Sequence, residues 1–418
     1  MRRHRFERYL EKVFRFSTLV AGLADGRLYP RHDLKKVFMA VFLGSACQLA
    51  SIHQIEAECR SGALSKRIGP LSEDTMRYTL ARVDPGGVAW LWGMIARQLK
   101  RNGVLRSSWA LGLVVAALDG IEICSSFTRC CDACLERTVK HMVDGEMREE
   151  VQYYHRISVV SIVSGAFPVP VGLRFQRQGE TEVECTLALL KDLVGILGRR
   201  FFDLLVGDAL YLQAPFVKAV EEMGFDWVFN LKANQPELLA EAERVTGGQP
   251  ERMVSGPEEE LLIWDGGEVY WPAADRAARV VKTVRRQSLT RVAVQGAKGE
   301  SKRRVKEKVV EEATNFYASN LGDVSPFFLH QVGRSRWSID TEVFQVMAKE
   351  GNLKRPSIHQ GCYQALVVLT MIRLLAYLLA MVFYHRQVCS HFSRPPYGFS
   401  DLARRFAYWF VAAHIDSS

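Results

Sequence analysis

Two aspartates and one acidic segment stand out in this sequence because of where they fall. Asp119 follows the unbroken apolar run 111–118 (LGLVVAAL), and Asp208 follows residues 202–206 (FDLLV) and Gly207. Short apolar runs of this kind read as central strands buried on both faces. Each aspartate then lies at a strand end, where an unpaired charge is costly to desolvate. Taken singly, each has a plain structural role: Asp119 as a turn cap beside Gly120, and Asp208 as the N-cap of a helix over 209–223. Taken together, they are hard oxygen donors suited to a shared divalent cation, Mg2+ or Mn2+.

A third ligand has to come from farther along the chain. Residues 336–345 (RWSIDTEVFQ) offer Asp340 and Glu342. On a helix turning about 100° per residue, Trp337, Ile339, Val343, Phe344, Val346 and Met347 share an apolar face. Asp340 falls near the centre of that face, one turn after Arg336. Glu342 falls on the polar face with Ser338, Gln345 and Lys349. A carboxylate aimed at a core needs a metal or a buried Arg336 pair. This favours Asp340, while Glu342 has the simpler explanation of a solvated acid.

The elements that must position these acids follow from the patterning. Residues 155–163 and 169–175 read as two strands joined by a Gly/Pro turn, 181–197 as a helix, 214–223 as a helix and 227–231 as a strand. Three strands, a helix, a strand, a helix and a strand is the order of an α/β, RNase H-like core, a mixed sheet flanked by helices. Ligands in open α/β sheets bind at the carboxyl ends of strands. Residues 236–325 read as a mainly β insertion, with short strands at 261–264, 268–271, 279–284, 291–294 and 315–319. Within it, the charged run 302–312 (KRRVKEKVVEE) reads as a solvated face, with a DNA-contacting edge as the alternative. A helix is expected over 326–349. Residues 1–105 read as a helical N-terminal region for DNA binding or dimerisation, 106–360 as the catalytic domain and 361–418 as a helical C-terminal region.

The 418 residues are 48% hydrophobic and 24% charged, ordinary for a globular protein with a large core. A net charge of +9, from 55 Lys+Arg against 46 Asp+Glu, suits a polyanionic partner, nucleic acid first. Nine cysteines, an odd and irregularly spaced set, indicate a reducing compartment, hence the cytoplasm. Cys131-x-x-Cys134, with Cys124 and Cys130 nearby and His141 and His155 downstream, is a weak zinc signature without a second pair at zinc spacing. Reduced free thiols are the expectation there. The apolar segment 362–384 carries Arg373 at its middle, which argues for a helix buried in protein and against a membrane span. No P-loop or dinucleotide fingerprint occurs.

Three motifs carry a family resemblance. The first is the strand ending in Asp119-Gly120. The second is Asp208-Ala209-Leu210-Tyr211 (D-x-x-Y) followed by Leu231-Lys232-Ala233-Asn234 (L-K-x-N). The third is Arg336-Trp337-x-Ile339-Asp340, which matches R-W-x-I-E with aspartate for glutamate. Over residues 110–360 the chain resembles the DDE transposases of bacterial insertion sequences, in the branch with a β insertion before the last acid. The resemblance implies Asp119, Asp208 and Asp340 as metal ligands for two Mg2+ or Mn2+ ions, about 3.5–4 Å apart in such sites. It implies DNA cleavage followed by transfer of the freed 3′-OH into target DNA, with Arg336, Lys349 and Lys232 as phosphate contacts and a homodimer on paired DNA ends. The sequence departs from the pattern in three places. Asp340 replaces glutamate, Gly333 stands where the branch has tyrosine, and Lys349 lies nine residues after Asp340 but seven after Glu342, the usual spacing. Two alternatives stay open: a nuclease of the same fold without strand transfer, and a catalytically inactive transposase derivative that binds DNA.

Overall fold

The computed structural model describes residues 5–129, 131–143, 146–256, 259–295, 303–355, 358, 362–392 and 398–412; Cys130 and Lys302 lie outside them. The chain is α/β, with a ten-stranded mixed sheet flanked by helices. The strands are β1 (Val115–Ser126), β2 (Leu135–Val143), β3 (Glu146–Ile162), β4 (Val169–Phe175), β5 (Leu204–Gly207), β6 (Asp226–Leu231), β7 (Arg252–Ser255), β8 (Glu259–Trp271), β9 (Arg276–Gln295) and β10 (Arg303–Ser319). Two compact units divide the chain. The larger holds residues 1–107, 118–201 and 337–418, and the smaller 108–117 and 202–336. They cut across the three-part division read from the sequence, because the N-terminal and C-terminal helices share one core.

That core in the larger unit surrounds the helix Tyr363–Phe383, whose side chains are buried on nearly every side. Phe6, from the helix Arg5–Phe14, meets the rings of Phe383 and Phe406 at 5.4 and 4.5 Å. The helix is long and apolar enough to cross a bilayer, but 89% of its most apolar window is buried within the protein. Arg373 lies inside that packing. Its guanidinium donates to the carbonyls of Asn352 (2.9 Å) and Ala50 (3.1 Å), and burial lowers its pKa to about 10, so it remains charged. In the same unit, β3 pairs antiparallel with β2 through its first half and with β4 through its second. The helix Glu182–Leu197 covers β4, with Leu193 seated over Gly172, where a Cβ would come within 2.8 Å of it. Its start is locked by a reciprocal cap between Thr181 and Glu184.

In the smaller unit, the first residues of β1 pair parallel with β5, and β5 pairs parallel with β6. β6 then pairs antiparallel with β10, which continues through β9 and β8 to β7. Helices Ala214–Glu222, Pro236–Val245 and Pro326–Ser335 belong to this unit.

Several elements differ from expectation. Residues 111–114 are not strand. Leu111 and Gly112 take positive φ (53° and 77°) after a 3-10 turn, and β1 begins at Val115 and runs on to Ser126. The hairpin β2–β3 was not legible because its outer residues mix charged and apolar side chains without a strand period, with Met142, Met147 and Val151 exposed. In the insertion, the expected short strands merge into β8, β9 and β10. The charged run lies within β10, paired residue for residue with β9 (Glu307↔Arg291, Glu312↔Arg286). Residues 308–314 of that ribbon are mostly exposed on both faces, so the two-residue apolar period that marks a half-buried strand is missing there.

Candidate catalytic carboxylates

Asp119 lies inside β1, not at its end, because the strand continues seven residues past it. It is half-buried, and its Oδ1 accepts the Gly120 amide at 2.8 Å. A Cβ on Gly120 would fall 2.6 Å from the Glu182 carboxyl. Glycine is therefore what admits Glu182, whose Oε2 pairs with Arg156 at 2.9 Å, to this stretch of strand. Sequence reasoning passed over Glu182, since an acid in the first turn of a helix is ordinary dipole compensation.

Asp208 is the residue after β5 and is half-buried. Its Oδ1 accepts the Leu210 amide at 2.9 Å, which caps a single 3-10 turn, Ala209–Tyr211. The expected helix starts later, at Ala214 with proline in its first turn. The turn is held from two sides. Tyr211 is fully buried against Phe216 and Phe229, with ring centroids at 5.4 and 6.4 Å. A Cβ on Gly207 would sit 2.7 Å from the Tyr211 ring. From the far side, Asn234 Nδ2 donates to the carbonyl of Ala209 at 2.6 Å, and Gln235 Nε2 to that of Leu212 at 2.8 Å. The D-x-x-Y and L-K-x-N motifs thus form one physical unit. Tyrosine anchors the turn after Asp208, and asparagine, from the loop after β6, ties its carbonyl. Lys232, in that loop, is exposed.

The segment with the third acid is not a regular α-helix. The helix Pro326–Ser335 gives way to a π-turn, Ile339–Phe344, and then to Gln345–Lys349. A π-turn advances less per residue than an α-helix, so angles counted at the α spacing drift, and such insertions concentrate at functional sites. Trp337, expected in the core, is 48% exposed. Asp340 is half-buried and Glu342 exposed as a residue, although protein packed around the Glu342 carboxyl raises its pKa. Tyr377, from the buried helix Tyr363–Phe383, donates its hydroxyl to the Glu342 carbonyl at 2.5 Å. Lys349 ends the segment, exposed; Arg336, in the smaller unit, is half-buried at the end of the helix Pro326–Ser335. That helix meets β10 closely at Gly333, because the Tyr317 ring occupies the space a side chain there would need. Where the resembled family has tyrosine on the helix, this chain has a tyrosine supplied from the strand.

Among the described residues, two groups of three side chains bring possible metal-ligand atoms mutually within 4.8 Å: Cys131, Cys134 and His155, and His53, Glu56 and Glu73. Asp119, Asp208, Asp340 and Glu342 belong to neither. Compared with protein-family models and with curated proteins, the chain finds no match in either.

Proposed function

We propose that this protein is a DDE-type transposase with an RNase H-like core, which cuts DNA and joins the freed 3′ end to a target strand. The observation that carries the reading is the turn after β5. Asp208 lies at the carboxyl end of a strand in a parallel pair, and both family motifs converge on holding it. Ligand-binding residues in α/β sheets occupy that position. The chain order β1, β3, β4, helix, β5, helix, β6 agrees with an RNase H-like core once the β2–β3 hairpin is read as an extension of it.

Asp119, Asp208 and one acid of the π-turn would hold the metal. The motif position points to Asp340, and the lysine spacing to Glu342. All are hard oxygen donors that fit Mg2+ or Mn2+. Asp208 has one oxygen fixed by a backbone amide, which orients the carboxylate. Bound Mg2+ would supply Lewis-acid stabilisation of charge on the scissile phosphate. Lys232 and Lys349 are exposed cations able to pair with DNA phosphates, and Arg336 has the planar geometry for a bidentate phosphate contact. The same contacts would serve a nuclease of this fold or a DNA-binding derivative, so strand transfer has to be measured directly.

The test is purified protein with Mg2+ and a supercoiled plasmid carrying the DNA that flanks its gene. Cleavage with joined products is expected, and Asp119→Ala or Asp208→Ala should abolish both. Wild-type protein no more active than Asp119→Ala would refute an enzymatic role. Cleavage with no joined products would leave a nuclease.

A further inference from the structure

The Cys131-x-x-Cys134 turn has a third partner that is distant in sequence. Leu135, the first residue of β2, pairs with Tyr154 of β3, so the next residues outward, Cys134 and His155, lie side by side at the root of the hairpin. There the two sulfurs and one imidazole nitrogen close a triangle. Cys131 Sγ is 3.9 Å from Cys134 Sγ, and His155 Nε2 is 3.3 Å from the first sulfur and 3.5 Å from the second.

A tetrahedral Zn2+ with Zn–S of about 2.3 Å and Zn–N of about 2.0 Å holds two thiolates about 3.8 Å apart, and each about 3.5 Å from the nitrogen. All three separations lie within a few tenths of an ångström of those values. The sulfurs are far beyond the roughly 2.05 Å of a disulfide, and both cysteines are free thiols.

The surroundings fit a soft cation. His155 is fully buried and Cys134 likewise, with Cys131 8% exposed. The His155 ring is set by Phe175 and Tyr363, at centroid distances of 5.7 and 6.0 Å. Among the described residues, its Nδ1 has no hydrogen-bond partner, so no bond on that side explains why Nε2 faces the thiols. The turn is closed by its own backbone and sulfur. The Cys134 amide donates to the Cys131 carbonyl at 3.3 Å, and the Cys131 amide points at Cys134 Sγ at 3.4 Å. Gln178 Nε2 ties the Cys134 carbonyl at 2.8 Å and the Asp132 carbonyl at 3.1 Å.

We propose that Cys131, Cys134 and His155 bind a structural Zn2+ that fastens the turn before β2 to β3 at the root of the hairpin. Two thiolates and an imidazole select zinc over the hard cations suited to carboxylates, so this centre is independent of the catalytic reading. One tetrahedral position is left for water or a fourth donor. The site lies within a single compact unit and involves none of the proposed catalytic acids.

Protein purified without chelator under reducing conditions should carry about one Zn2+ per chain by mass-spectrometric metal analysis. Co2+ exchanged for it should give the intense visible bands of tetrahedral cobalt with thiolate-to-cobalt charge transfer. Cys134→Ser and His155→Gln should each lower the zinc content at least about tenfold, while Cys47→Ser and Cys389→Ser leave it unchanged. Because a variant that loses zinc through misfolding would mislead, alkylation of wild-type protein gives an independent reading. Cys131 and Cys134 should resist iodoacetamide when metal-loaded and react once a chelator has removed the metal, with Cys389 reacting equally in both states. Wild-type protein with less than about a tenth of an equivalent of zinc and no thiolate-to-cobalt band would overturn the proposal. So would alkylation of the two cysteines indifferent to the chelator, or a Cys131–Cys134 disulfide in freshly purified protein.

Discussion

Asn234 Nδ2 donates to the carbonyl of Ala209 at 2.6 Å, and this bond joins the loop after β6 to the turn that carries Asp208. It gives the L-K-x-N motif a mechanical meaning: the asparagine fixes where a carboxylate is presented. Asn234→Ala should lose about 0.5–1.5 kcal/mol of stability, the worth of one such bond. Cleavage should fall by more than that loss of folded protein accounts for. Asn234→Asp should do worse, because it sets a second acceptor against a carbonyl. Comparing plasmid nicking with thermal unfolding of both variants checks this; full activity in Asn234→Asp would show that the turn is held by other means.

The close approach of Gly333 to Tyr317 predicts a coupled pair. Gly333→Ala should cost about 1–3 kcal/mol, because its Cβ overpacks against the Tyr317 ring. Gly333→Tyr, which restores the residue of the resembled family, should be tolerated only together with Tyr317→Gly. A double-mutant cycle by urea unfolding measures the coupling, and additive single effects would mean that the helix shifts to make room.

Arg373 is the only charge in the middle of the buried helix Tyr363–Phe383, and it satisfies two carbonyls. Arg373→Met keeps the length and apolar stem but leaves the carbonyls of Asn352 and Ala50 without their donor. Each unsatisfied buried group costs about 1–3 kcal/mol. Arg373→Lys, with no fork to reach both, should recover only part. The midpoint of chemical unfolding separates the three proteins.

Stability should fall with acid through His330. Burial, assisted by the Arg334 charge, lowers its pKa to about 4, with Arg285 acting in the same direction and Glu259 against it. The unfolded chain takes up the proton near pH 6.5 and the folded chain does not, so the unfolded state gains as pH drops from about 6.5 to about 4. His330 is 6% exposed, and the effect is on the order of 3 kcal/mol at most. His330→Phe should flatten the unfolding free energy over that window; an unchanged slope would assign the acid sensitivity elsewhere.

The third acid is settled by comparing two alanine variants. Asp340→Ala should reduce cleavage about a thousandfold or more, as expected for a loss of several kcal/mol of transition-state stabilisation. Glu342→Ala should keep most of the rate. Tyr377→Phe removes the hydroxyl that holds the Glu342 carbonyl and should lower cleavage modestly by loosening the π-turn. Loss confined to Glu342→Ala would transfer the role to Glu342.

Residue order alone was enough for the parts of this protein governed by local rules. The runs before Asp208 and over β4 and β6 are apolar because both faces of those strands are covered, and such runs are visible in one dimension. The buried helix with Arg373 was legible because a charge at its centre argued against a bilayer. Tertiary structure decided what depends on partners. β1 shifts and lengthens, and the charged ribbon of β9 and β10 is strand because its backbone is paired, with no apolar period to announce it. The π-turn breaks the regular α spacing on which a helical wheel rests, and Trp337, expected in the core, is 48% exposed. Cys131, Cys134 and His155 are separated by up to 24 residues yet converge within 3.9 Å, because a strand register set by β2 and β3 places them there. Registers are fixed by pairing between distant segments, so a single CxxC read along the chain looked incomplete until the hairpin supplied its histidine.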